Sequence, residues 1–393
     1  MSLYTLKAAI ETLIDSTLQT VNPETEFVGN RVIVRSESLV GGICLCVLGI
    51  ILTAGLWPFH VPSNQVKWLK TRNGLQFGRH GSAITSKPIQ GSSLNNTSAT
   101  LEIWLNPASS ENSSTILSFD ASGHPGEPFS LRQRGEALII RRNNVDPQGI
   151  SRTALFYLDH VFHENNAVFL TIALNSREAL TYVNGSLAKT FPLSGAWNDL
   201  TGWAVLANVS TANDSWSGEI FGLAIYQYEL TASQITADYE SWETKWKPVR
   251  ISSEEHAAQV YLFDEHGGPI AHNLYDASTC LIIPTHYFIL HPRFLLAPWK
   301  EYHPAVRGYW YDTGINIIGF VPLGFCFFIY LSLLRSIRYP SIAAVCLGLF
   351  TSLVIELLQA FLPTRSSDMT DLITNTLGTT IGVIISRRFV ALS

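Results

Sequence analysis

Two blocks of apolar sequence, at residues 39–57 and from residue 313 onward, bracket a long middle rich in Gly, Ser, Asn and Thr. Within hydrocarbon a backbone must satisfy its own hydrogen bonds, so blocks of spanning length fold as helices or closed barrels and little else. The first block, Leu39 to Trp57, is nearly uncharged and about 19 residues long, enough to cross a bilayer core as a helix. It reads as an uncleaved anchor rather than a signal peptide. The preceding segment is long, and the stretch from Leu56 to His60 lacks a small-residue cleavage site. Trp57 and Phe59 suit an interfacial belt. Beyond residue 312, Thr313–Leu334 and Ser341–Leu362 are each about 22 residues and adequate to span. The last block, Leu372–Ile385, has an apolar core of only about 14 residues. It also carries Thr374, Asn375, Thr376, Thr379 and Thr380, a face that suits a helix inside a bundle, continued by residues 386–392. Gly378 and Gly382, four apart, would let that helix approach a neighbour closely.

Orientation follows from the basic residues of the short loops. Lys7, Arg31 and Arg35 precede the first span, Arg335 and Arg338 lie between the second and third, and Arg387 and Arg388 end the fourth. Four spans put all of these on one side, so both termini are expected in the cytoplasm and the middle of the chain outside. Arg365 is the one basic residue of the outer loop and needs a local reason. At the start, Leu3, Leu6, Ala9, Ile10, Leu13, Ile14 and Leu18 are apolar at helical spacing, an amphipathic segment for the membrane surface or a partner helix. The net charge of -5, without a basic block, gives nucleic acid no electrostatic footprint. The five cysteines form neither a disulfide framework nor a CxxC metal pattern, and read as small buried hydrophobes.

From about Asn64 to Trp242 short alternating segments replace the apolar blocks. Thr100–Leu105, Ala137–Ile140, Val168–Ala173, Leu180–Val183, Trp203–Leu206 and Ile220–Tyr226 read as strands separated by turn residues, which predicts an all-β sandwich. Asn184 and Gly185 form a hairpin turn, because both tolerate positive φ. Thr231 to Gln234 lead into a short closing helix carrying Ile235, Tyr239 and Trp242. Farther on, Gln259–Phe263 and Leu281–Pro284 read as two more strands, and the aromatic stretch from His286 to Tyr311 as an interfacial segment. The order of Trp68, the Gly74–Phe77 stretch, Leu101–Pro107, Tyr182–Gly185, Trp216–Tyr226 and Leu230 resembles a laminin-G/concanavalin A-like jelly roll. That resemblance implies glycan or protein binding, in some members through Ca²⁺. A calcium site needs several oxygen ligands; near the Trp216 strand only Asn213, Asp214 and Glu219 offer them, so no clear ligand set is present and no cofactor is expected. His160 and His163 lack a convincing third metal ligand.

Polar residues within the last three blocks carry the functional expectation, because ionisable groups at bilayer depth are costly and usually functional. Asp312 and Asn316 open the second span; Glu356 and Gln359 lie three apart near the end of the third, on adjoining positions of one helix face. Arg365, Asp368 and Asp371 sit in or beside the loop that follows, with Asn375 one turn into the fourth span. Three spans thus bring these groups to one depth in the outer leaflet. Asp312 and Asn316, then Phe320, Pro322 and Gly324, then Glu356 to Gln359, Arg365, Asp371, Asn375 and Gly378 resemble the VanZ-like family, named for a glycopeptide-resistance protein. With the first span, the resemblance covers about 150 residues outside the β region. It implies an envelope or antibiotic-resistance association.

Several readings of these residues stand side by side. Pro322, between Gly319 and Gly324, either kinks its helix or shapes the site. Glu356 and Arg365 form a structural ion pair or contact a ligand. Asn316 and Asn375 are interhelical glue or ligand contacts, and Asp371 caps the fourth span or acts in the site.

The expected architecture is a four-helix transmembrane bundle plus an all-β concanavalin A-like jelly-roll sandwich. Its parts are an N-terminal segment (1–38), a first span (39–57), the sandwich (62–245), a juxtamembrane segment (246–311) and the VanZ-like spans (312–392). The expected protein is a multi-pass protein of the bacterial inner membrane that binds rather than catalyses. Its β domain would recognise an extracytoplasmic glycan or protein. Asp312, Asn316, Glu356, Gln359, Arg365, Asp371 and Asn375 would meet a lipid or lipid-linked envelope component. The alternative is an enzyme acting on a lipid-linked substrate, with Glu356 or Asp371 as acid/base and Arg365 holding a phosphate or carboxylate.

Overall fold

The computed structural model describes residues 26–90, 98–120, 128–145, 151–164, 166–193, 200–210, 214–249, 258–288, 290, 294–297, 307–334 and 336–392. The amphipathic pattern at residues 3–18, Asn213 and residues 298–306 of the interfacial segment lie outside them. The chain divides into two compact units: Val61–His291, and Met1–His60 with Pro292–Ser393.

The first unit holds two eight-stranded sheets, antiparallel at every pairing among the described residues. One runs β1 (Val66–Trp68), β2 (Leu75–Phe77), β13 (Gly218–Tyr226), β4 (Ala99–Pro107), β9 (Val168–Leu174), β10 (Glu178–Val183) and β11 (Ser186–Pro192), with β14 (Ala258–Tyr261) also on β13. The other runs β15 (Ile270–Ala271), β16 (Leu281–Ile282), β3 (Ala83–Thr85), β12 (Trp203–Leu206), β5 (Ser113–Asp120), β6 (Phe129–Arg134), β7 (Ala137–Val145) and β8 (Ser151–Leu158). Their inner faces share one core, in which Leu101, Ile103, Leu105 and Ile172 meet Leu117, Phe119, Leu131 and Leu138. This is the face-to-face packing of a β-sandwich. At the hairpin between β10 and β11, Asn184 and Gly185 take φ of 50° and 73°, as the turn chemistry demands.

The outer face of the first sheet is covered in turn by α2 (Ala232–Lys245). Thr231 and Gln234 form a reciprocal capping box at its start. Ile235 and Trp242 then pack against Phe169, Tyr182, Ala224 and Tyr226. Gly222 on β13 lies directly beneath the Trp242 ring, where a Cβ would collide with it. The sandwich also extends past the expected boundary at residue 245. β14, β15 and β16 belong to its two sheets, so the compact unit closes at His291. β14 and β16 fall on the two stretches read as strands, Gln259–Phe263 and Leu281–Pro284, whereas β15 has two residues, too few to show a period.

The second unit is helical: α1 (Glu26–Leu56), α3 (Arg307–Leu333), α4 (Pro340–Gln359) and α5 (Met369–Leu392). Three stretches are long and apolar enough to cross a membrane: Glu37–Leu56, Trp310–Leu333 and Pro340–Gln359. The fourth expected span, α5, has the length but not the hydropathy, so the described residues give three candidate spans rather than four. Its threonines explain the shortfall and also how the helix is buried. Thr374, Thr376, Thr379 and Thr380 each donate to the carbonyl four residues back, at 2.7–3.0 Å, so their hydroxyls need no partner from another helix.

Glycines let α5 lie close along α3. A Cβ at Gly378 would overlap the Ile317 carbonyl, one at Gly382 the Val321 carbonyl, and one at Gly324 the Thr379 carbonyl. Backbone contact of this kind excludes any larger side chain. Pro322 sits within α3 on an exposed position, and the helix continues through it to Leu333. A Cβ at Gly41 of α1 would lie 3.1 Å from the Tyr330 ring of α3, and one at Gly55 would lie 3.0 Å from Ile355 of α4.

Candidate functional site

Asp312, Asn316, Glu356, Gln359, Arg365, Asp371 and Asn375 all line one cavity of about 630 Å³ in the helical unit. Its apolar wall comes from Ile51 and Ala54 of α1, Ile315 and Phe320 of α3, and Ile355 of α4. Helix geometry explains the convergence. Ser352, Glu356 and Gln359 are at i, i+4 and i+7 of α4, which is one face. Asp312 and Asn316 repeat the i, i+4 spacing on α3, and Asp371 and Asn375 on α5.

Glu356 is 1% exposed, and its Oε2 accepts the Asp368 backbone N–H at 2.7 Å. That amide lies just before α5, so Glu356 ties α4 to the start of α5. Asn316 Nδ2 donates to Asp371 Oδ1 at 2.7 Å, joining α3 to the same turn. Asn375 Nδ2 donates to Ser352 Oγ at 3.0 Å, joining α5 to α4. Gln359 Nε2 donates to the Gly55 carbonyl at 2.8 Å. Arg365 donates to the Trp57 carbonyl from Nε at 3.1 Å and from Nη2 at 2.6 Å. These last two carbonyls end α1, where no helical amide can reach them, so Gln359 and Arg365 serve as its side-chain caps.

Two of the structural alternatives are thereby corrected. Glu356 and Arg365 do not form an ion pair; each is committed to a backbone group instead. Asp371 is not the cap of α5 but a residue of its first turn, and Asp368 holds the position before Met369. The carbonyl of Asp368 accepts the Leu372 N–H at 3.3 Å. Pro322, Gly324, Gly378 and Gly382 do not line the cavity; the glycines set the crossing of α3 and α5 beside it.

Ser366, Thr364 and Thr370 also line it and were not expected there; Asp368, expected at the same depth but not among the residues meeting a ligand, joins them. Asp368 is 6% exposed because the chain at Leu296 runs beside it. Leu296 N donates to the Ser367 carbonyl at 2.9 Å, and Met369 N to the Leu296 carbonyl at 3.0 Å. A pairing between residues so far apart leaves no periodic trace in the sequence. Ser352, by contrast, was legible from its spacing to Glu356.

Four carboxyl groups, from Asp312, Glu356, Asp368 and Asp371, and one guanidinium, from Arg365, thus share the cavity. Among the described residues no lysine or histidine lines it. No group of three His, Cys, Asp or Glu side chains is arranged to hold a metal ion among the described residues. In the sandwich, His160 pairs with Glu136 at 3.2 Å on the surface. Asp214 holds Arg132 and accepts from Thr115 Oγ1 at 2.6 Å, and Glu219 holds Arg72 at 2.6 Å. Both carboxylates once weighed as calcium ligands therefore neutralise arginines.

Residues 242–390 match the family model described as VanZ/LLP1, and residues 78–236 match that of the concanavalin A-like lectin/glucanases superfamily. The chain joins a VanZ-like domain to a concanavalin A-like domain. The VanZ-like match contains α3, α4, α5 and every cavity residue except those of α1. It also begins upstream of β14, inside the sandwich unit. No curated protein matches the chain. Among solved structures, the receptor-binding domain of botulinum neurotoxin mosaic serotype C/D is 16% identical, covering 47% of this chain and 46% of its own, with a TM-score of 0.37. The binding domain of serotype G is 14% identical over 46% and 50% of the two chains, with a TM-score of 0.32. A pentraxin of Limulus polyphemus is 14% identical over 57% and 93%, with a TM-score of 0.34. The chain spans about half the length of the neurotoxin domains.

Proposed function

We propose that this VanZ-like protein binds the headgroup of a lipid or lipid-linked envelope component in the cavity of its helical unit. The observation that carries this reading is the gathering of seven polar side chains from three helices and a loop onto one cavity. Three of the helices that wall it are apolar enough to span a membrane. Polar groups kept at such a place are usually functional. In this reading α5 is the fourth span, and both termini, the turn of Arg338 and the end of α5 that carries Arg387 are cytoplasmic. Arg365, the basic residue of the outer loop, has its local reason in the Trp57 carbonyl it caps. The protein then sits in the bacterial inner membrane, with the sandwich, which lies between α1 and α3 in the chain, on the extracytoplasmic side. Its lectin-like class supports recognition of a glycan or a protein there.

An enzymatic reading has one observation in its favour: Glu356, Asp371 and Arg365 line the same cavity, the set an acid/base step on a phosphorylated substrate would use. One experiment separates the two. Lipids and lipid-linked sugars are extracted from cells producing the wild type, Glu356→Gln and Arg365→Ala at equal protein levels. Binding alone leaves the cellular lipid profile of the three unchanged, while the lipids that copurify with the protein fall in both variants. A lipid product made by the wild type and missing from both variants refutes the binding reading. For the sandwich, residues 61–291 on a glycan array should retain a defined set of glycans, and no retention removes the lectin proposal.

A further inference from the structure

Three side chains lining the cavity keep an acceptor oxygen that no donor reaches: Gln359 Oε1, Asp368 Oδ1 and Asn375 Oδ1. All three residues are more than nine-tenths buried, at 7%, 6% and 4% exposure. The Thr370 hydroxyl oxygen is left likewise. No side-chain nitrogen is stranded in this way among the described residues. The orientation of Gln359 is fixed, because its Nε2 faces the Gly55 carbonyl, which can only accept. The lining residues therefore carry surplus acceptors, and their charge is negative on balance, with four carboxyl groups against Arg365. The carboxyl groups are spread over α3, α4, α5 and a loop rather than clustered as metal ligands.

We propose that the headgroup taken here is zwitterionic: a phosphate ester whose primary ammonium enters among the orphaned acceptors while its phosphate meets Arg365. This deepens the lipid-headgroup reading and rests on it. A primary ammonium carries three N–H donors, one for each orphaned oxygen, and a positive charge that the carboxyl groups favour. A trimethylated ammonium has the charge without the donors, and a glycerol headgroup has donors without the charge. Arg365 is exposed, and its Nη1 has no acceptor among the described residues, so it can bind a phosphate without giving up Trp57.

The test uses the full-length protein in nanodiscs, titrated with phosphatidylethanolamine, phosphatidylcholine and phosphatidylglycerol of matched acyl chains. Phosphatidylethanolamine should bind at least about tenfold more tightly than either of the others. Asp312→Asn, at an exposed position, and Asp368→Asn should each reduce that preference without lowering the affinity for phosphatidylglycerol. Arg365→Gln should weaken all three lipids alike. Free phosphoethanolamine should displace the lipid; displacement by glycerol phosphate at the same concentration overturns the proposal. Equal binding of the three lipids, still lost in the Arg365 variant, also overturns it while leaving the lipid-headgroup reading intact. Lipid binding that responds to none of the three substitutions removes both. The melting temperature of each variant is measured alongside, so that unfolding is not read as lost affinity.

Discussion

Replacing Glu102 by Gln should remove a specific pH dependence from the stability of the sandwich. Glu102 lies on β4 with 0% exposure, in the layer beneath α2. Its Oε2 receives only two long hydrogen bonds, from the Tyr226 hydroxyl and Trp242 Nε1, each at 3.4 Å, and Oε1 has no partner. Burial, and then the nearby charge of Asp238, push this carboxyl well above the usual carboxylate range; the two hydrogen bonds oppose the shift weakly. In the unfolded chain the same group ionises near about pH 4.3. Above that pH the unfolded state has released a proton that the folded state keeps, so stability is full below about pH 4.3 and falls as pH rises toward the folded value. The slope for one proton is about 1.4 kcal/mol per pH unit. Two units within the window remove about 2.7 kcal/mol, a large share of the 5–15 kcal/mol that holds a domain folded. Gln keeps an acceptor for Tyr226 and Trp242 and cannot ionise. Urea unfolding of residues 61–291, followed by tryptophan fluorescence from about pH 5 to about pH 8, should give a variant whose advantage over the wild type grows with pH. Parallel curves for the two proteins would refute the assignment of a proton to Glu102 in the folded state.

Three further outcomes test the helical unit. Gly382→Leu forces a side chain into the Val321 carbonyl and should lower stability by about 1–3 kcal/mol or more, seen as earlier melting in detergent. Gly42→Leu, at an open position, should melt like the wild type. Glu356→Ala strands the buried Asp368 N–H and should cost about 1–3 kcal/mol, whereas Glu356→Gln keeps an acceptor and should melt near the wild type. A reporter fused after Ser393 should be active only in its cytoplasmic form; an active external form contradicts four spans and a common depth for the cavity residues.

What could be read from the sequence depended on the range of the interaction. Strands such as β9 and β13 have long alternating or apolar runs, and the Asn184–Gly185 turn and the Thr231–Gln234 capping box are local chemistry, so each shows in a short window. β14 and β16 were also read as strands, but their pairing with the distant β13 and β3 leaves no local trace and β15 has only two residues, so the sandwich reads as ending too early. The cavity was legible for a related reason. Asp312 with Asn316, Glu356 with Gln359 and Asp371 with Asn375 sit at helical spacings in otherwise apolar sequence, where each polar residue is conspicuous. Asp368 was harder to place, because a polar residue in a loop is ordinary until Leu296 pairs beside it and buries it. The same limit applies to Arg365: its charge suggested a carboxylate partner, and only the folded chain brings the end of α1 within its reach.

The choice first posed as structural glue or ligand contact divides instead within single side chains. The Nδ2 of Asn375 holds α5 to α4, and the Nε2 of Gln359 holds α4 to α1, so the donor half of each amide is structural. The acceptor half of each is buried without a partner, in a residue that lines the cavity. Asp368 repeats the division: its backbone N–H serves Glu356 and its Oδ2 accepts from Ser366 Oγ at 3.0 Å, while Oδ1 is unmet. A bundle that needed only glue would gain by exchanging these residues for ones with no surplus acceptor, since each buried orphan costs about 1–3 kcal/mol. Three such surpluses around one space, none of them a donor, are better explained by something the space receives than by the packing of the helices themselves.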